Sequence, residues 1–386
     1  MQAINSTKLE NLILVEEAKS LQNAGFIGKE QIEYIKKELD TPKTNTNILV
    51  RLGFVLLGLL LYVSICGAFS LFGISGIDNN WEVFLYLYAI IGVAGAEFLC
   101  AQNYFKHGLE EAFLLGSQLA LGVAISEVFE SDLLTAIVVA AVAILMYTRY
   151  LHILSMLIFC VALSVFLFLA MLEFGNLGKS ILPFVSLLFS AGFYFWTKKL
   201  KGNLIKQYYR EGILLANTFC LILFYLSCNY FVVRELSVVL LENEILPGTD
   251  ISFALFFYCF TIIVPILYFI QALKTKDKIM LWISFLAVAF SMYSFEIYFS
   301  ALSGEIELTI AGLVLFGIAF FTIKKLKHND IGITFKPDRI TNSNQFLNAE
   351  ALIVASTFGM SPEVSSESSM EFGGGDFSGG GAGGSF

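Results

Sequence analysis

Charge is what this chain lacks most. Asp, Glu, Lys and Arg make up 15% of it, where soluble domains carry about 25%, and that shortfall excludes an ordinary soluble protein. Histidine is scarce as well: His107, His152 and His328 stand isolated, with no HExxH pair or other ligand spacing. Of six cysteines (Cys66, Cys100, Cys160, Cys220, Cys228 and Cys259), no two form a CxxC. Nearly all lie in apolar runs, where a free thiol acts as a small hydrophobe, so neither disulfides nor a metal site are expected. No Gly-rich phosphate loop leads into Lys-Ser/Thr, and GGGDFSGGG near the C-terminus has glycines without a flanking strand or helix. The start, MQAINSTKLENL, has no basic region followed by an apolar one, so no cleaved signal peptide is expected and the first span serves as the insertion signal. These absences leave no cofactor, no catalytic pair and no nucleic-acid partner to expect.

What remains is apolar length. The chain is 57% hydrophobic with 38 Phe and a mean hydropathy of +0.75. An oily core of about 30 Å takes about 20 apolar residues per helix. Residues 48–323 hold about ten such runs: Ile48–Phe72, Val83–Leu99, Ala112–Phe129, Leu133–Tyr147, Leu151–Leu172, Ile181–Trp196, Leu214–Val233, Ile251–Leu273, Ile279–Phe299 and Leu308–Ile323. The expected fold is therefore all-α, a polytopic membrane protein of about ten transmembrane helices. Gln118 and Glu127 interrupt the third run, the fourth is short, and Pro265 in the eighth should kink it.

Lys and Arg stay on the cytoplasmic side of a membrane. With the N-terminus inside, all 24 basic residues except Lys179 and Arg234 fall in inner segments. The bias favours an even number of spans, both termini cytoplasmic, and a cytoplasmic (inner) membrane. The outer segments are acidic, and the longest, Arg234–Asp250, is too short to fold alone. Lys198, Lys199 and Lys201 beside Trp196 suit topology and anionic lipid better than a nucleotide.

Residues 1–47 form a cytosolic helical hairpin by pattern. Leu9, Leu12 and Ile13 begin an apolar face, and Ile32, Ile35 and Leu39 repeat it in a second helix that Pro42 closes. Two such short helices cannot bury both faces alone, so Phe26, Ile27, Ile32, Ile35 and Leu39 are expected to contact another chain, the cytosolic loops or the membrane surface. The stretch LVEEAKSLQNAGFIGKEQIEYIKKEL, with Gly25, Phe26, Ile27, Glu30, Gln31, Ile32 and Leu39, resembles hairpins in two groups. One is a bacterial family of predicted membrane proteins, domain of unknown function 2157, where the hairpin precedes many spans. The other is the oligomerisation hairpin called SHOCT, usually near a C-terminus. The N-terminal position favours the first, and that resemblance implies architecture without catalytic residues.

Residues 324–360 read as a basic and amphipathic cytosolic segment. Residues 361–386 form a Gly-rich tail too poor in apolar groups to fold. The tail is similar to those of membrane proteins with a TPM domain, a domain this chain lacks. Besides the lipid bilayer, a protein partner or a second copy is expected to engage residues 1–47 and 361–386.

Ionisable groups in a bilayer cost about 2.5–3.5 kcal/mol on insertion scales, so each needs a reason. In the third span Glu111, Gln118, Gly122, Ser126 and Glu130 recur at near-helical spacing. Such a face is either a packing seam or a hydrated path. Glu97 and Glu296 lie near span ends, where interfacial positions suffice. Asn217 and Asn229 suit hydrogen bonds between helices. Two function classes lead: a membrane scaffold or envelope-homeostasis factor recruiting partners through hairpin and tail, and a transporter or permease for a small or lipid-like solute along the third span. An intramembrane enzyme ranks third.

Overall fold

Backbone inside a bilayer must satisfy its own N–H and C=O groups, which makes helices of long apolar runs. The computed structural model describes residues 2–23, 27–73, 81–129, 131–202, 207–241, 250–299 and scattered residues between 309 and 324. The described elements are all helical: α1 (Ser6–Asn23), α2 (Lys29–Glu38), α3 (Ile48–Gly73), α4 (Trp81–Ala101), α5 (Leu109–Val128), α6 (Asp132–Tyr150), α7 (Ile153–Glu173), α8 (Gly175–Gly202), α9 (Arg210–Ser227), α10 (Tyr230–Leu241), α11 (Ala254–Thr275) and α12 (Lys278–Phe299). Among the described residues nine helices, α3 to α9 with α11 and α12, are long and apolar enough to cross a membrane. This is a multi-pass integral membrane protein. The expected tenth span, Leu308–Ile323, and the segments after it lie almost wholly outside the described residues.

Both doubtful runs are complete helices, α5 with 20 residues and α6 with 19. The seventh run is broken. α9 stops at Ser227, and after Cys228 and Asn229 the chain restarts as α10, so the supposed outer loop is helical as far as Leu241. Asn229 causes the break: its side chain accepts from the Val232 N–H (3.3 Å), an N-cap bond. The Tyr230 N–H leaves the helical ladder for the Thr261 hydroxyl (2.9 Å).

Four antiparallel pairs follow one another: α4 with α5, α6 with α7, α8 with α9, and α11 with α12. All four close at the same end of the bundle. Two connections are two residues long, Leu151–His152 and Lys276–Asp277, and in both the first residue is left-handed (φ 56° and 55°). In α11, Pro265 has no N–H for the Thr261 carbonyl. The Ser291 hydroxyl of α12 donates to that freed carbonyl instead (2.7 Å).

The N-terminal hairpin docks on the closed end of these pairs. Lys8 pairs with Asp40 (2.9 Å), and the Asn11 amide donates to the Asp40 carbonyl (3.0 Å), tying α1 to the end of α2. Ile4 and Leu9 enter a core with Cys100, Phe105, Tyr150 and Leu151. Backbone bonds add to this: Ala3 N–H to Arg149 C=O (3.0 Å), Lys43 N–H to Asn103 C=O (2.7 Å) and Phe105 N–H to Lys43 C=O (3.0 Å). Among the described residues, α1 with the residues before it and the chain at Lys43 meet the connections of the bundle. Ile32 is buried, Ile27, Ile35 and Leu39 are half-buried, and Phe26 lies outside the described residues. Leu14, Leu21 and Tyr34 remain exposed.

Candidate functional site

α5 opens with two adjacent carboxylates, favourable at the positive end of a helix dipole. Glu111 accepts from Arg51 of α3 through Nε (2.8 Å) and Nη2, a bidentate pair. Glu110 is buried and turns back, accepting the His107 backbone N–H (2.7 Å). Two turns deeper, Gln118 donates to the Ser155 hydroxyl of α7. Ser155 Oγ lies 2.8 Å from His152 Nδ1, and His152 is within electrostatic reach of Glu111 and Arg51. A file of polar groups therefore enters from the hairpin end: Arg51, Glu111, His152, Ser155, Gln118.

The file is packed, and part of its hydrogen bonding is unmet. Glu110 Oε2, His107 Nδ1, Gln118 Oε1 and His152 Nε2 are buried without a partner among the described groups. The Ser155 hydroxyl accepts from Gln118 and shares a further hydrogen bond with His152 Nδ1, in which the tautomer of the ring decides the donor. Burial pushes the His152 ring down to about 4, so the imidazole is neutral at pH 7. Burial, then the nearby Lys43 charge, also lowers His107.

Past Gln118 the file ends in a recess of about 10 Å³ beside Gly122, Val139, Ala143 and Ile158, room for about one water. Gly122 is no seam: a methyl group there would meet only Val139, at 3.9 Å. Ser126 is off the face altogether, exposed and donating to the Val123 carbonyl of its own helix (2.7 Å). A four-residue step overshoots a 3.6-residue turn by about 40°, so the expected stripe rotates out of the core by Ser126. Glu130 lies outside the described residues.

The close-packed seam of α5 is on its other side. A Cβ on Gly92 of α4 would strike Ser117 and Phe113, and one on Gly116 would strike the Tyr62 ring. Ser117 donates across the same seam to the Ala89 carbonyl (2.9 Å). The spacing of Gly92, Gly95 and Ala96 against Gly116 is the sequence signal that marks this approach.

Glu97 accepts from Arg149 Nε and the Tyr150 hydroxyl (both 2.5 Å), so an ion pair holds it at the hairpin end. Glu296 is exposed, as an interfacial position requires. Asn217 accepts from Thr197 of α8. Asn229 donates to the Tyr225 hydroxyl (3.0 Å) and accepts from Ser294 (3.3 Å). Tyr225 in turn meets Ser291 Oγ at 2.8 Å. Sequence spacing did not show Lys106 with Glu211 (2.6 Å), because the partners lie 105 positions apart. No group of three metal-ligating side chains exists among the described residues.

Compared with known proteins, the chain matches no family model, no curated protein and no solved structure.

Proposed function

We propose that this protein is a scaffold of the cytoplasmic membrane, with both termini on the cytoplasmic side, that holds its hairpin against the bundle and offers the hairpin's free edge to a protein partner. The observation that carries this reading is the occupancy of the polar face of α5 by protein. Glu111 is paired with Arg51, Gln118 with Ser155, and the recess beyond them has about 10 Å³. A solute path needs open volume where this face has side chains. The docked hairpin fits the same reading, since α1 is anchored by core and backbone bonds while Leu14, Leu21 and Tyr34 point to solvent. The resemblance to the family of domain of unknown function 2157 agrees with this architecture and adds no activity. The Gly-rich residues 361–386 serve as a second tether.

Two measurements test this. A cysteine at Gln118, in a cysteine-free background, stays inert to a small water-soluble thiol reagent in folded protein. A photocrosslinking residue at Tyr34 in cells yields an adduct between this chain and a protein of defined mass. A reactive Gln118→Cys together with no protein adduct from Tyr34 sinks the scaffold reading.

The permease reading keeps one observation in its favour. Gln118 Oε1 and His152 Nε2 are buried and unpartnered along the file, as groups facing a transient solute are. Transport of a small solute into vesicles, abolished by Gln118→Leu with the fold intact, is its requirement.

A further inference from the structure

A groove of about 730 Å³ runs along α11, between α9 and the start of α12. That volume sits within the roughly 300–1,000 Å³ of small-molecule sites. Its walls are apolar and aromatic, including Phe224, Phe260, Ile263 and Leu267. Ile263 and Leu267 stand half in the open, so the groove opens sideways, towards lipid. Its polar residues are gathered at one end. Gln271 and Lys274 line the end nearest the Lys276–Asp277 connection, and no carboxylate is within ion-pairing distance of Lys274 among the described residues. A long apolar trough with one cation at its mouth matches an amphiphile with apolar tails and an anionic head.

We propose that this groove is a binding site for one anionic phospholipid, its acyl chain along α11 and its phosphate on Lys274 and Gln271. The site is independent of the scaffold reading and of the α5 polar file. Charge also argues against the chain's own segment 308–323 as the occupant. That segment follows α12 and would run parallel to α11, which sets Lys324, Lys325 and Lys327 beside Lys274. A phosphate at that mouth gains from the cation that a second basic cluster would oppose.

The groove carries its own probe. Cys259 lines it and is alone among the six cysteines in being exposed. It lies fifteen residues before Lys274 in the sequence, about 22 Å along the helix at 1.5 Å per residue. The full chain, in lipid nanodiscs, is given phosphatidylglycerol or phosphatidylcholine analogues with a thiol-reactive group at the end of one acyl chain. Adducts at Cys259 are then quantified by mass spectrometry. The anionic analogue labels Cys259 roughly fivefold faster, the factor one basic residue contributes at an anionic surface. Lys274→Glu removes that preference and Lys274→Arg keeps it, both at an exposed position that leaves the fold alone. Equal labelling by the two headgroups in the parent chain, or a preference that survives Lys274→Glu, overturns the proposal. A disulfide formed in most molecules between Cys259 and a Thr309→Cys variant, fifteen residues before Lys324 as Cys259 is before Lys274, also overturns it, in favour of the chain's own segment.

Discussion

Two polar regions of this bundle solve the same problem by opposite means. At the hairpin end the groups are charged and paired: Arg51 with Glu111, Lys106 with Glu211, Arg149 with Glu97. In each pair at least one side chain keeps 27% or more of its surface exposed. Between α9, α11 and α12 the groups are neutral: Tyr225, Asn229, Thr261, Ser291 and Ser294, all buried. Charge is used where one partner still reaches a polar phase, and hydroxyls and amides are used where neither does. The difference follows from cost, since an ionised group deep in a bilayer loses several kcal/mol while a neutral hydrogen bond between helices is worth about 0.6 kcal/mol on average.

The comparison breaks most visibly at its charged side. Glu111→Leu strands the Arg51 guanidinium and should destabilise by about 3 kcal/mol, the low end for breaking a buried pair because Arg51 is partly exposed. Thermal unfolding in detergent reads this. Adding Arg51→Met should recover most of the loss, and a double variant no better than the single would show that the pair is not the cause.

Protons give a comparable effect. His152 is held neutral by burial, with its folded value near 4 against about 6.5 unfolded. The unfolded chain therefore binds a proton that the folded one refuses. Stability is full above about pH 6.5 and falls as pH drops towards 4, by about 3 kcal/mol at most. Midpoints measured from pH 7 to 4.5 should decline, and His152→Asn should flatten the decline. The α9–α12 cluster has no such group, so any acid sensitivity remaining in that variant must come from elsewhere.

Smaller effects sharpen the picture. Gly92→Ala should cost about 1–3 kcal/mol by overpacking against the α5 backbone. Asn229→Leu, on the neutral side, should cost about 0.6–1.7 kcal/mol, the range for hydrogen bonds between spans. Gly122→Ala should be the mildest, within about 0.5 kcal/mol, because the space there is open. If Gly122→Ala proves as damaging as Gly92→Ala, the two sides of α5 have been assigned the wrong way round.

The nine described spans were legible because length and hydropathy alone mark them, down to Trp81–Ala101 where Val83–Leu99 is expected. The break at Asn229 was not, since the apolar run continues unbroken through Tyr230, Phe231, Val232 and Val233. Hydropathy registers the oil and passes over a single buried amide. The face of α5 was half legible. Glu111 and Gln118, seven residues apart, stay in register, whereas repeated steps of four carry Ser126 away. Their partners were invisible for another reason. Arg51 lies 60 positions from Glu111, and Ser155 lies 37 from Gln118, and only the folded topology joins them. His152 looked isolated because Glu111 and Arg51 reach it from α5 and α3, and its one near neighbour in sequence, Ser155 of α7, is a serine rather than a metal or catalytic partner.

The bond from Ser291 to the carbonyl freed by Pro265 has a consequence for synthesis. A ribosome delivers Thr261 thirty residues before Ser291. Until then α11 carries, at membrane depth, an acceptor that its own helix is unable to satisfy. Waiting in lipid with that carbonyl bare is unfavourable, while leaving the insertion machinery together with α12 is not. The two-residue connection Lys276–Asp277 brings α12 beside α11 as soon as it is made. The pair should therefore enter the bilayer as one object: a chain truncated after Thr275 should be retained at the insertion site or degraded, whereas one ending after Phe299 should partition.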